Sequence, residues 1–342
     1  MKAVKICALC LAAVIAIISP FAIVIAAATL TPPQYSNTFV GALNEKYDRL
    51  HSIDEPKLVV VGGSSVVFGV DSAMIEKYVD MPVVNFGLYA ALGTKLMLDL
   101  SRSAIGKGDV VVLSPELDPQ TLSLYFSSEQ TLMALDDDFS MFHDLAVDNK
   151  LSVLGGMWRF ATDKIDLMIS GRVMDPPGVY NAKNFDERGD LSYARPSNIM
   201  NAYYDPNKKI TLTEDILDPE FVDYLNEYID YCERRGATVL FAYCPLNELA
   251  VVNSHSQPEE NLQARRDFHE HLASVINCDV IGDIEYAIMD AAYFYDSNFH
   301  LNDAGMALRT IRLTKDILAA LGKSVDVNEP IPEKPQLGSS DT

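Results

Sequence analysis

The stretch Lys57–Gly69, KLVVVGGSSVVFG, constrains the fold more than any other. Leu58–Val61 is a short apolar run rich in β-branched residues, bounded by Pro56 and by Gly62-Gly63. That pattern predicts a strand buried on both faces, as in a parallel sheet. The strand runs into two glycines and two serines, and Asp71 stands where a helix N-cap belongs, before SAMIEKYV. Strand, small-residue turn and helix place a side chain at the carboxyl edge of a sheet, where open α/β folds bind ligands. The glycine spacing fits neither G-x-G-x-x-G nor G-x-x-x-x-G-K-[ST]. It also fails G-x-S-x-G, because the second residue after Ser65 is Val67.

The same rhythm recurs along the chain. Met81–Asn85 (MPVVN) and Asp109–Leu113 (DVVVL) predict a second and a third strand, with an apolar helix near Leu92–Ile105 between them. After Tyr204 the alternation resumes with helix Pro219–Arg235, strand Thr238–Tyr243, helix Pro258–Ile276, strand Asp279–Ile281 and a last helix from Asn302 to about Leu321. Alternating strands and helices imply an α/β fold, a three-layer, doubly wound parallel sheet. Ser114 to about Tyr204 breaks the rhythm with the acidic run Asp136-Asp137-Asp138, the sole tryptophan Trp158, and Pro176-Pro177-Gly178. It reads as a partly helical insertion (about 114–204) at the carboxyl edge of the third strand, where insertions shape substrate access.

Ile6–Leu30 carries no charge and is long enough to cross a bilayer. Lys2 and Lys5 precede it, so the positive-inside rule places the N-terminus in the cytoplasm and the rest of the chain outside. The run exceeds the 7–15 residues or so of a signal-peptide core, which favours an uncleaved anchor over cleavage near Ala26-Ala27-Ala28. The expected organisation is a transmembrane signal anchor (1–31), a polar connector (32–56), a main domain (57–322) and a disordered tail (323–342), rich in Pro, Ser and acidic residues. A net charge of −21 disfavours nucleic acid as a partner. Cys232, Cys244 and Cys278 are scattered and odd in number, so no disulfide framework emerges. No metal-ligand spacing occurs outside the apolar run, and no cofactor is implied.

Near the C-terminus, Tyr295–Gly305 reads YDSNFHLNDAG. Asp296 close before His300 is the arrangement by which a carboxylate orients an imidazole that deprotonates a serine. Together, VVVGGSSVVFG, Asn85-Phe86-Gly87 and DSNFHLNDAG resemble the SGNH/GDSL hydrolase superfamily, in order along Lys57–Leu321. The resemblance implies a flavodoxin-like SGNH fold. Aligned on Gly69, it makes Ser65 the nucleophile, His300 the base and Asp296 the triad acid. It assigns the oxyanion-hole amides to Ser65 and Gly87. Two positions depart from the pattern. Ser297 stands where the family's D-x-x-H carries its acid, and Glu116 stands where the oxyanion asparagine belongs. An ionised carboxylate donates no hydrogen bond, and Asn247 is the candidate substitute. The pattern is similar to the membrane-anchored members that act on envelope polymers, including teichoic-acid D-alanyl transfer and alginate acetylation proteins. A serine esterase or O-acyltransferase at the cell membrane is the expected function, with an acylated carbohydrate or envelope polymer as substrate. The alternative is an inactive SGNH-like domain that binds a glycan or a partner protein.

Overall fold

A computed structural model describes residues 2–252 and 258–337. The chain divides into two compact units, one formed by residues up to Asn44 with Ser128–Ala182, the other by Glu45–Ser127 with Lys183 onward.

In the first unit, α1 (Lys2–Thr29) is long and apolar enough to cross a membrane. Residues 32–44 are not the polar connector expected: Tyr35, Phe39, Val40 and Leu43 are buried. Helix α2 (Leu43–Ser52) then carries the chain into the second unit. The middle of the expected insertion completes the first unit with α6 (Ser128–Ala134) and α7 (Val147–Ser170). Its acidic run is partly internal: Asp136 is buried and accepts a 2.5 Å hydrogen bond from Lys164. The amide of Gln34 donates to the other oxygen of Asp136 at 2.6 Å. The apolar residues of 32–44 thus pack with 128–182 as a separate body, which no local periodicity announces.

The second unit is an α/β domain. Strands β1 (Leu58–Gly62), β2 (Val83–Gly87), β3 (Val110–Ser114), β4 (Thr238–Ala242) and β6 (Asp279–Ile281) form a parallel sheet in the order β2-β1-β3-β4-β6. A small parallel pair, β5 (Leu246–Asn247) with β7 (Ile288–Met289), lies apart from it. Leu58, Val60, Val110 and Val112 pack with Ile75 and Val79 of α4 (Ser72–Val79) and with Ile311 and Ile317 of α11 (Asp303–Ala320). Because side chains alternate across a strand, Val59, Val61, Val111 and Leu113 face the other way. They are equally buried, and α5 (Thr94–Arg102) and α8 (Pro219–Arg234) contact β1 and β4 respectively. Helix α9 (Pro258–Val275) contacts β6, and α10 (Ile284–Ala287) contacts α9 and β7.

Strand order changes direction at β1, whose neighbours are β2 and β3, a geometry that opens a crevice at the carboxyl ends. The register places Gly62 beside Gly87 on one side and beside Ser114 on the other. The turns after β1 and β3 therefore emerge side by side. Asp71 caps α4 as expected, accepting from the Met74 amide at 2.9 Å. Residues 323–337 carry no helix or strand, yet the expected disorder from 323 needs correction there. Val327 is buried in the core, and Glu329 accepts from Lys77 and from Tyr78. The remainder of that tail, 338–342, lies outside the described residues.

Candidate functional site

Past Gly62 the chain turns at Gly63 into a single helical turn, α3 (Ser64–Val67). A side chain at Gly63 would collide with the carboxyl group of Glu116, which emerges from the end of β3 two residues after Ser114. Ser64, the first helical residue, stands at the rim with its Oγ 2.7 Å from Nε2 of His300. Ser65 turns inward: it is 0% exposed against 5% for Ser64, and its hydroxyl has no partner. The expected meeting of Ser65 with His300 is therefore corrected to Ser64. Counting back from Gly69 points to Ser65, but the turn at Gly63 makes Ser64 the first residue of α3, and its hydroxyl is the one that meets His300.

His300 is carried by a tight loop whose ends pair at Phe294 and Leu301. The Tyr295 amide donates to the His300 carbonyl at 2.8 Å, closing the loop. Inside it, His300 Nδ1 is 2.7 Å from Oδ1 of Asp296. A carboxylate there only accepts, so Nδ1 carries the ring proton and Nε2 is left as the acceptor of the Ser64 hydroxyl proton. Ser297, the departure in D-x-x-H, has a turn role: its Oγ accepts from the amides of Phe299 and His300 at 3.2 Å each. That turn lets an acid four residues before the histidine reach the ring. Phe68 lies flat against the imidazole, with centroids 4.0 Å apart and planes 7° apart. Asn302 caps α11 through the Gly305 amide, fixing the loop to a rigid helix.

The expected oxyanion-hole donors are engaged elsewhere. The Ser65 amide donates to Oε1 of Glu116 at 2.7 Å, and the same oxygen lies 3.4 Å from Ser64 Oγ. Oε2 of Glu116 is buried without a partner. The Gly87 amide donates to Oδ1 of Asn85 at 3.2 Å. Asn247 is fully buried, its amide donating to the Tyr203 carbonyl at 2.9 Å, and it does not join Ser64 and His300. Below the site, Arg309 of α11 donates to the Ser65 carbonyl at 2.8 Å and to Ser114 Oγ at 2.7 Å. Burial pulls this guanidinium down to about 10. Burial likewise pushes the nearby Cys244 thiol up to about 12, so it is no thiolate nucleophile at neutral pH. Among the described residues, no three His, Cys, Asp or Glu side chains gather as metal ligands.

A buried polar network that no sequence motif announces lies beside β2. Asp190 accepts from the Ser72 amide and hydroxyl and from Asn85 Nδ2, at 2.6, 2.8 and 2.9 Å. Lys46 donates to the carbonyls of Asn85 and Gly189. The returning segment of the insertion, 183–204, thereby fastens to the sheet through Asn85, two residues before Gly87. Burial raises Asp190 to about 6 and lowers Lys46 from 10.5 to about 7. Between pH 7 and 10.5 the unfolded chain holds the Lys46 proton and the native chain does not. Stability therefore rises with pH across that window, since the unfolded state binds more protons. Denaturant midpoints measured at pH 7 and pH 9.5 should show this rise in the wild type and a smaller one in Lys46→Met. Equal slopes would mean that Lys46 stays protonated in the fold.

No protein-family model matches the sequence, and a search of curated proteins finds no significant match.

Proposed function

We propose that the chain is a divergent SGNH-type serine esterase or O-acyltransferase, anchored by α1 at the cell membrane with the α/β domain outside the cytoplasm. Its substrates are acyl esters of envelope glycans or polymers. The observation that carries the reading is the unbroken run Ser64 Oγ, His300 Nε2, His300 Nδ1, Asp296 Oδ1, with 2.7 Å at each hydrogen bond. In this reading Ser64 Oγ attacks the ester carbonyl as His300 Nε2 takes its proton, and Asp296 holds the imidazolium that forms. When the ester C–O bond breaks, His300 returns the proton to the departing alcohol. Water or an acceptor hydroxyl then attacks the acyl-Ser64 ester, losing its own proton to His300, which passes it to Ser64 Oγ as the acyl–Oγ bond breaks.

A second reading, an inactive SGNH-like domain that binds a glycan or a partner protein, draws support from Glu116. Its carboxylate holds the Ser65 amide, the amide next in the chain to the nucleophile, in place of a developing oxyanion. A fluorophosphonate probe separates the two readings. Covalent addition mapped to Ser64 supports the enzyme. In Glu116→Asn the clamp is gone and a side-chain donor takes its place. Adduct formation should then accelerate by about 10²–10³, the worth of one oxyanion donor. Absence of adduct on both folded proteins leaves the binding reading.

A further inference from the structure

Helix α7 has three faces. Val153, Phe160, Lys164 and Leu167 are buried within its unit, and Arg159, Asp163 and Asp166 project into solvent. Between them runs a third face of Val147, Leu151, Leu154, Trp158 and Ile169, all exposed. At 100° per residue these five lie within an arc of about 60°. The spacing is that of an amphipathic helix meeting an apolar environment. Within this first unit the stripe has an apolar neighbour. Trp158 packs against Phe21 of α1, with ring centroids 4.6 Å apart. Farther along, Lys164 Nζ donates to the carbonyl of Thr31 at 3.1 Å, just past the end of α1. Two fixed points therefore tie α7 to the last third of α1, and Phe21 lies only about 12 Å of helix before Thr29. If α1 lies in a bilayer, Trp158 sits near the edge of the same bilayer. The indole is the side chain best suited to that depth, with an apolar body and one polar N–H.

We propose that α7 is a second membrane-contact element, its apolar stripe seated in the lipid interface beside α1. The proposal rests on α1 being inserted in the bilayer. It commits to lipid as the covering partner because the stripe continues the apolar surface of a helix long enough to span. Buried lipid-facing area from a third of an amphipathic helix adds to anchoring and fixes the unit's orientation on the membrane.

Trp158 is the sole tryptophan, so the intact protein reports on itself. Full-length chain is reconstituted into phosphatidylcholine vesicles carrying nitroxide-labelled phosphatidylcholine. Emission is read for the wild type and, in a Trp158→Phe background, for Leu151→Trp, Ile169→Trp and Asp163→Trp. Flotation with the vesicles checks α1, and circular dichroism checks the fold. The expected result is a loss of most emission at 151 and 158, with 163 unaffected and 169, which lies past the level of Thr31, quenched less. Quenching at 158 alone would reduce α7 to a passive neighbour of α1 and overturn the proposal. Stripe positions shielded from aqueous acrylamide but untouched by nitroxide would assign the face to a second copy of the chain, which also overturns it. A chain that fails to float overturns the reading of α1 and this inference with it. A chain that floats with an unquenched stripe overturns the inference alone.

Discussion

Ser64→Ala should abolish fluorophosphonate labelling and lower acyl-ester turnover by about 10⁴-fold or more, the cost of removing the nucleophile from a serine triad. Ser65→Ala should leave the label in place. The contrast follows from one helical turn. Ser64 Oγ is 2.7 Å from His300 Nε2, while Ser65 Oγ is buried without a partner. Replacing Ser65 by Ala removes an unsatisfied buried hydroxyl and keeps the backbone amide that holds Glu116. Its expected effect on stability is therefore neutral or favourable. His300→Ala should match Ser64→Ala, because residues that act as a unit are not additive. Intact-protein mass spectrometry after labelling checks all three variants. An adduct that survives Ser64→Ala and disappears in Ser65→Ala would restore the alignment on Gly69 and overturn the pairing of Ser64 with His300.

The contrast between these serines also marks where sequence stops informing. Strands β1 and β3 were legible because each is a continuous apolar run between turn residues, buried along its whole length. Asp71 was legible as a cap because its side chain acts on an amide three residues ahead. Asp296 and His300 were legible for the same reason, lying within one short loop. The choice between Ser64 and Ser65 depends on where a one-turn helix begins, and that is set by contacts far away in sequence. Glu116 packs on Gly63, and Arg309 holds the Ser65 carbonyl from α11. Arg309 did leave a trace, since it shares an apolar stripe with Leu313 and Ile317 on its helix, a charge where a hydrophobe is expected. Asp190 left none, because it meets Ser72 and Asn85 across more than a hundred positions from a segment without helix or strand periodicity. Division of the insertion between two units was invisible for a similar reason: residues 32–44 find their apolar partners nearly a hundred positions later.

Lys164→Met should destabilise the first unit by about 3–5 kcal/mol, the cost of leaving one member of a buried ion pair unpaired. Both partners are almost wholly buried, with Lys164 at 0% and Asp136 at 1% side-chain exposure. Asp136 keeps its hydrogen bonds from the amides of Gln34 and Tyr35, at 2.6 and 3.3 Å, but these do not neutralise a carboxylate. The damage should be local. Lys164 also holds the Thr31 carbonyl, so hydrogen exchange should rise at residues 31–35 and along α7 while the strands of the sheet stay protected. Changing both partners, Lys164→Met with Asp136→Leu, removes the charges together. The double variant should recover most of the loss, because a packed apolar pair often equals or exceeds a buried salt bridge in stability. The remaining deficit reports the amides of Gln34 and Tyr35, which lose their acceptor. A double-mutant cycle from denaturant unfolding gives the coupling directly. If the double variant is no more stable than Lys164→Met, the pair is not what joins α7 to residues 31–35. The attachment of α1 to α7 would then rest on Phe21 and Trp158.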